Sequence, residues 1–349
     1  MTGWENYIEG VELPRKGQRV FVWGAGNTAR LAHEGMKREG LYEALGIEGF
    51  VDRAQAGHTL FGLPVGHPDA LSRDAFVLIC TANRSALLEI DAALNRMGIS
   101  HCPLEAAILK LRRNEVLQAA ALLDEASREI YHRLLLNRLT LDTVPPELYH
   151  GESYFGIPEF CKSRHDDVVI DCGAYVGDSA ERFIWRMEMF RHYIAIEPDE
   201  GNFRAMQRRF KRLREEWNFP EDKLMALNCG VDDVTSSRAL ESRVGGLGSM
   251  ATEGCGSTPF WAIDDLAHKI PEMVSPTFIK ADIESYEFRM LSGAKETLRT
   301  HKPRLAICIY HNMVDMYSIP LLIHSIEPGY RFAVRHHSYG YEETVLYAY

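Results

Sequence analysis

The stretch "VVIDCGAYVGDS", residues 168–179, decides how this chain is read. An apolar run leads into an acid, Asp171, then into Gly173 and Gly177 with three residues between them, then into a second acid, Asp178. This pattern predicts a strand, a tight turn and a helix start, with backbone N–H groups lining the turn. A second turn of the same kind, "VFVWGAGNTARL" at 20–31, carries Gly24, Gly26 and Ala29. The chain thus has two candidate ligand turns, and only one of them need carry chemistry.

Around each turn, strand-like and helix-like segments alternate, the signature of a parallel sheet with crossover helices. Residues 1–104 are expected to form a Rossmann-like domain, with strands at "RVFVWGAG", "IEGFVDR" and "AFVLICTA". Residues 105–149, rich in Leu, Ala, Glu and Arg, read as a connector of two helices that ends at "TVPPEL". Residues 150–349 form the second domain, with strands at "DVVIDCG", "YIAIEPD", "LMALNCGV", "TFIKADIE" and "RLAICIYH". Its last two runs, "RFAVRHHS" and "ETVLYAY", are joined by so short a turn that they must pair antiparallel. A doubly wound sheet closed by such a hairpin is the arrangement of Rossmann-like methyltransferases. The fold class is therefore α/β, with two Rossmann-like domains.

Composition narrows the function classes. The net charge of −10 over 349 residues argues against a nucleic-acid partner. The basic run "RAMQRRFKRLREEW" at 204–217, with Phe203 just before it, sets its charges around Phe203, Met206, Phe210 and Leu213 at helical spacing and reads as a solvated helix face. Seven scattered cysteines without a C-x-x-C pair point to a reducing compartment. With no signal peptide and no apolar run long enough to span a bilayer, a cytoplasmic location is expected.

The G-x-x-x-G spacing of Gly173 and Gly177 departs from the G-x-G-x-x-G that holds a pyrophosphate. S-adenosylmethionine has no pyrophosphate; it has a sulfonium and a zwitterionic methionine end. Asp171 then makes sense as a carboxylate near the ammonium or sulfonium, and Glu197, ending the next strand ahead of Pro198, as the acceptor of both ribose hydroxyls. The lesser alternative is that both acids simply cap loops. By position, Gly230 and Val231 should lie along the adenine, with Asp232 as a hydrogen-bond partner or, with Asp233, a turn residue. "GGLGSM" at 245–250 could close over the pocket or be a loop without that role.

Four pieces in order, "VVIDCGAYVGDS", "IAIEPDEGNF", "FIKADIESYEFRMLSGAKETL" and "KPRLAICIYH", followed by the terminal hairpin, resemble the FkbM-type family of S-adenosylmethionine-dependent methyltransferases over residues 150–349. The resemblance implies methyl transfer, usually to oxygen and often to a sugar or polyketide hydroxyl. It also implies a donor site made of Asp171, Gly173, Ala174, Gly177, Asp178, Glu197, Pro198, Gly230, Val231 and Asp282. Ser285 stands where the family commonly has glycine.

A hydroxyl is a poor nucleophile while protonated, so a base or a metal would help. Asp282 and Glu284 close the fourth strand and His311 the fifth, and either His311 or Asp282 is expected to be the base. Lys280 shares the face of Asp282, and Glu287 reads as a first-turn carboxylate of the following helix. His336 and His337 point to opposite faces of the hairpin. Asp282, Glu284, His311 and one of these histidines could also hold a divalent metal, although the spacing matches no metal motif.

In the first domain Gly24, Gly26, Asn27 and Asp52 mark the candidate ligand site. The tract "VFVWGAGNTARL … IEGFVDR … GHTLFGLPVGHPDAL … FVLICTANR" resembles the nucleotide-sugar-binding domains of bacterial sugar acyltransferases. The same domain could bind nothing and serve as a homodimerisation or scaffold module. Together these readings predict an O-methyltransferase for a sugar or nucleotide sugar. Its rivals are an NAD-dependent sugar oxidoreductase, which lacks a nearby Y-x-x-x-K pair, and a binding protein without turnover.

Overall fold

The computed structural model describes residues 2–162, 164–187, 189–242 and 249–349, with the backbone alone for 241–242 and 249–255. The chain divides into two compact units. The first comprises Met1–Tyr149, Tyr310–Ser318 and Ser338–Glu342; the second comprises His150–Ile309, Ile319–His337 and Glu343–Tyr349.

Six strands form the sheet of the first unit: β1 (Val20–Trp23), β2 (Ile47–Val51), β3 (Thr59–Leu60), β4 (Leu63–Gly66), β5 (Phe76–Ile79) and β6 (Ser100–Pro103). Their spatial order is β3-β4-β2-β1-β5-β6, parallel except for the β3–β4 pair. Every residue of β5 is buried, as expected of a strand covered on both faces. The short strands β3, β4 and β6 were not foreseen; none has more than four residues, too few for a period to show. Short α1 (Gly3–Glu9) precedes the sheet, α2 (Asn27–Arg38) and α3 (Leu41–Leu45) link β1 to β2, and α4 (Arg84–Met97) links β5 to β6.

The tract after β6 forms three helices where two were expected: α5 (Leu104–Leu111), α6 (Arg113–Leu122) and α7 (Glu125–Thr140). Arg112 leaves the helical region at φ −110°, ψ 25°, and Asp124 restarts the chain as an N-cap, accepting from the Ser127 amide at 2.7 Å. All three helices pack with the first unit.

The main sheet of the second unit contains β7 (Val168–Cys172), β8 (His192–Ile196) and β9 (Leu224–Leu227). A side sheet follows in sequence: β10 (Gly230–Val231), β11 (Ser236–Ser242), β12 (Ser249–Cys255) and β13 (Thr258–Trp261). The main sheet resumes with β14 (Phe278–Ala281), β15 (Arg304–Cys308), β16 (Phe332–His336) and β17 (Thr344–Ala348). Its order is β16-β17-β15-β14-β7-β8-β9, with β17 antiparallel to both neighbours and the remaining pairs parallel. The terminal hairpin thus inserts the last strand next to β15, as the sequence predicted.

The side sheet, ordered β10-β13-β11-β12, corrects the reading of "LMALNCGV" as one strand. The run breaks at Asn228, whose side-chain amide donates to the carbonyls of Glu197 and Pro198, and Gly230–Val231 pair with β13 instead. Flanking helices are α8 (Asp178–Met187), α9 (Glu200–Trp217), α10 (Ile263–Lys269), α11 (Glu287–Ser292) and α12 (Lys295–His301). A last helix, α13 (Met313–Ile326), follows β15.

Helix α9 buries Met206, Phe210 and Leu213 and ties exposed charges into pairs such as Arg212–Glu216, a solvated face as read from the sequence. No described helix is long and apolar enough to cross a membrane.

Candidate functional site

In the main sheet of the second unit the crossover direction reverses between β7 and β14, and the crevice beyond the strand ends at such a point is where α/β sheets bind ligands. The turn after β7 sits there. Gly173 and Gly177 have φ of +75° and +79°, the left-handed region that glycine enters without strain. A Cβ on Gly173 would lie 2.0 Å from the carbonyl oxygen of Asp282, and one on Gly177 would lie 3.1 Å from Met206 and Phe210. The close approaches that demand glycine are therefore intramolecular: they press the β7 turn onto the β14 turn and onto α9. The Gly173 and Ala174 amides both donate to the Ile196 carbonyl, at 3.0 and 3.1 Å, and Asp178 opens α8.

Glu197 ends β8 and is 6% exposed. Its two carboxylate oxygens accept from the Tyr175 and Asp199 amides, each at 2.9 Å. Burial outweighs these bonds and raises its pKa to about 7. The Asn202 side chain bonds the same carboxylate. Pro198 is partly buried beside it, and Asp199 caps α9.

Asp171 is wholly buried, and its carboxylate is engaged within the protein. Its register partner on β14 is Lys280, whose ammonium lies 2.9 Å from Oδ1 and donates to the Gly173 carbonyl at 2.8 Å. Tyr193 on β8 donates to Oδ2 at 2.7 Å. Burial alone would lower the Lys280 pKa, but the negative charges of Asp171 and Asp282 overcome it and hold the pKa above its usual value. The expectation of a direct donor contact at Asp171 is thus revised: the residue anchors the turn from beneath.

Asp282 follows β14 directly and is partly exposed, and its Oδ2 accepts from the Tyr154 hydroxyl at 2.9 Å. Glu284 and Ser285 next to it have φ of +57° and +75°. The positive φ at Ser285 gives the physical reason that glycine suits this position. Glu287 opens α11 and accepts from the Ile283 amide at 2.7 Å, as a first-turn carboxylate should. Gly293, in the "L-S-G-A" element, approaches the next segment just as closely: a Cβ there would lie 2.2 Å from the Asp232 carbonyl.

Gly230 lies under the Phe260 ring, which a Cβ would meet at 2.2 Å, and Val231 is buried beside it. The Asp232 carboxylate sits between two guanidiniums, accepting from Arg238 and Arg289 Nε at 2.5 Å each. Burial pushes its pKa up, but the Arg289 guanidinium and hydrogen bonds with Asp233 bring it below the usual range. Asp232 is therefore an ion-pair centre as found, and Asp233 shares Arg289 at 2.7 Å. The "GGLGSM" segment falls largely on residues 243–248, outside the described residues.

In the hairpin, His336 is buried with Nδ1 2.8 Å from Thr344 Oγ1. Both ring nitrogens of His337 are taken, by the His150 carbonyl at 2.6 Å and the Tyr347 hydroxyl at 3.1 Å. Burial lowers the His337 pKa to about 4, so this residue offers no nitrogen to a metal and no base near neutrality.

His311, three residues past β15, belongs to the first unit. It is buried against Tyr310 and, with Glu105 and Arg138, lines a cavity of about 30 Å³, room for one water. Arg138 bonds Glu105 and donates to the Tyr310 carbonyl at 2.6 Å.

At the other turn of the first unit, Gly24 has φ +120° and a Cβ there would lie 2.3 Å from the Cys80 carbonyl. Gly26 is the N-cap of α2, which starts at Asn27, and a Cβ on Gly26 would meet nothing within 4 Å. The Asp52 carboxylate accepts from the Ala25 amide at 3.0 Å and from the Ala54 and Gln55 amides at 2.8 and 3.2 Å, holding the turn together.

Tyr154 is the site residue that sequence reasoning missed. It precedes β7 by 14 residues in a segment without a motif, and its backbone is left-handed at φ +63°.

A family model for the methyltransferase FkbM domain matches residues 171–332. The solved structure of a methyltransferase FkbM from Methylobacillus flagellatus KT aligns with 100% of this chain and 94% of its own, at TM-score 0.55 and 22% identity, and shares the fold. An rRNA methylase from Streptococcus thermophilus aligns over 53% of this chain and 86% of its own, at TM-score 0.33 and 12% identity. Aeropyrum pernix fibrillarin, solved with S-adenosyl-L-methionine, aligns over 53% of this chain and 67% of its own, at TM-score 0.33 and 10% identity. No curated protein matches the chain. With the turn, the strand-end acids and the inserted last strand in place, the family match at residues 171–332 settles what the second unit carries: an FkbM-type methyltransferase domain.

Proposed function

We propose that the second unit transfers a methyl group from S-adenosylmethionine to a hydroxyl oxygen, with a sugar or glycoconjugate precursor as the acceptor. The observation that carries the reading is Glu197, a buried carboxylate at the end of β8, beside a glycine turn at the switch point. Gly173, Ala174, Gly177 and Asp178 would face the methionine end of the donor, Glu197 and Pro198 the ribose, and Gly230 and Val231 the adenine. The donor supplies an electrophilic methyl group on a sulfonium that leaves readily.

The residues of the chain then have two tasks, to align the acceptor oxygen and to receive its proton. Asp282, whose backbone approaches the donor turn, takes that proton as the new O–C bond forms and the C–S bond breaks; Glu284 helps to hold the acceptor. Fixed dipoles and excluded water provide much of the acceleration in such a displacement. In the first unit, the turn at Gly24–Asn27 with Asp52 would bind a nucleotide sugar and recognise the acceptor, and the protein would work in the cytoplasm.

Calorimetric titration with S-adenosylhomocysteine and, separately, NAD tests the reading. Homocysteine-form binding lost in Glu197→Ala and kept in Gly26→Val is the expected result. A Cβ at Gly26 meets nothing within 4 Å, so Gly26→Val introduces its side chain without a Cβ clash. Binding of NAD alone, lost in Gly26→Val, would instead make the first unit the catalytic one. Label transfer from S-adenosylmethionine to a panel of nucleotide sugars, compared with Asp282→Asn and His311→Gln, then identifies the acceptor class and the base.

A further inference from the structure

The segment that enters β7 contributes a side chain to the strand-end acids although it lies outside the residues that match the family. Tyr154 is 5% exposed and donates its phenol proton to Asp282 Oδ2 at 2.9 Å. Its ring lies 5.2 Å from the Lys280 ammonium, the cation that anchors the glycine turn. Its hydroxyl is 3.9 Å from Cys308 Sγ on β15. One residue thus touches groups from β14, the β14 turn and β15.

The backbone that delivers it is strained. A left-handed φ of +63° at an aromatic residue brings its Cβ against the backbone. Such strain persists only where the surroundings over-determine the conformation, and it concentrates at functional sites. Here the surroundings do so. Phe155 packs between Phe183 at 5.8 Å and Phe278 at 6.2 Å, and its carbonyl accepts from Cys161 Sγ at 2.9 Å. Phe160 packs on Phe278 at 5.4 Å and on Tyr347 at 5.0 Å. Two buried aromatics therefore fix the backbone that follows Tyr154, leaving its side chain directed at Asp282.

We infer that Tyr154 is a positioning residue of the methyltransferase site, orienting the Asp282 carboxylate toward the methyl donor. The inference rests on the proposed donor site, in which Asp282 is a donor contact. By accepting from Tyr154, Oδ2 is fixed, and the carboxylate plane with it, so that Oδ1 takes one direction instead of several. Preorganisation of this kind lowers the ordering cost of binding.

The test is a double-mutant cycle read by calorimetric titration with S-adenosylhomocysteine, with thermal unfolding measured alongside. Tyr154→Phe keeps the ring and removes only the hydroxyl. It should weaken binding about tenfold, the loss expected for one hydrogen bond to a charged group, while the melting temperature stays close to that of the wild type. Added to Asp282→Ala, Tyr154→Phe should have no further effect, because its partner is already gone. Wild-type affinity in Tyr154→Phe would overturn the inference alone. So would a tenfold loss that persists in the Asp282→Ala background, which would show Tyr154 acting by another route. A wild-type protein that does not bind S-adenosylhomocysteine would overturn the proposed donor site and this inference together.

Discussion

Lys280 and Asp171 are register partners on adjacent parallel strands, and their charges meet at 2.9 Å with almost no access to solvent. The pair is joined to the turn above it by the bond from Lys280 to the Gly173 carbonyl. A carboxylate left alone at that depth would be far outside its preferred surroundings, so the partner matters more than the pair. Lys280→Met should cost about 3–5 kcal/mol in urea unfolding, the usual price of a buried ion stripped of its counter-ion. The double variant Asp171→Asn/Lys280→Met should recover part of that loss. Equal losses in the single and double variants would show that the charge pairing is not what matters.

Glu197 gives the domain a pH signature. Its pKa rises from 4.5 to about 7 on folding, so between these values the native state holds a proton that the unfolded chain has released. Its contribution to stability is therefore lost as pH rises from 4.5 to about 7, by on the order of 3 kcal/mol in all. Glu197→Gln should remove that slope from the stability curve. If the ionised form accepts the ribose hydroxyls, S-adenosylhomocysteine affinity should rise by up to about tenfold per unit below pH 7 and level off above it. A flat affinity profile would argue against this role.

His337 works in the opposite direction. Its pKa falls from 6.5 to about 4 on folding, so the unfolded chain takes up a proton first and stability falls as pH drops through that window. The two slopes oppose each other between pH 4.5 and 6.5, and the wild-type curve should be flatter there than that of either Glu197→Gln or His337→Asn. Denaturant midpoints at half-unit pH steps would show it.

Ser285 and Gly173 make a contrasting pair of backbone tests. Both are left-handed, at φ +75°, but only one position carries a side chain. Ser285→Gly should be neutral or stabilising by up to about 1 kcal/mol, as the Cβ strain is relieved against a more flexible unfolded chain. Gly173→Ala adds the same strain and drives a Cβ to 2.0 Å from the Asp282 carbonyl. It should cost more than about 3 kcal/mol and abolish donor binding. Thermal melts of the two variants settle the comparison.

Much of this site was legible in the sequence because the turn after β7 and the acids at 197 and 282 lie at the ends of apolar runs, where strand periodicity places them. Asp171 was found but its role was not, because pairing with Lys280 depends on β14 lying next to β7, and strand order is not a local property. The ion pairs of Asp232 were out of reach for the same reason: Arg289 lies 57 positions away. Within the side sheet, β10 stayed hidden because it has only two residues, too few for alternation to show. Tyr154 was invisible because neither its φ nor its reach across 128 positions to Asp282 leaves a mark in residue type.

The first unit is assembled from three separate pieces of chain, two of them taken from the C-terminal half. Met313, Val314, Met316 and Tyr317, at most 1% exposed, lie in the longer of these pieces. Tyr131 donates to the Met316 carbonyl at 3.1 Å, and Arg38 bonds Ser318 at 2.9 Å. A polypeptide begun at His150 would keep every strand of the methyltransferase sheet yet leave these side chains without the helices that cover them. Severing the chain there should yield two sticky fragments instead of two soluble domains, and recombination by modular shuffling at that boundary would be expected to fail.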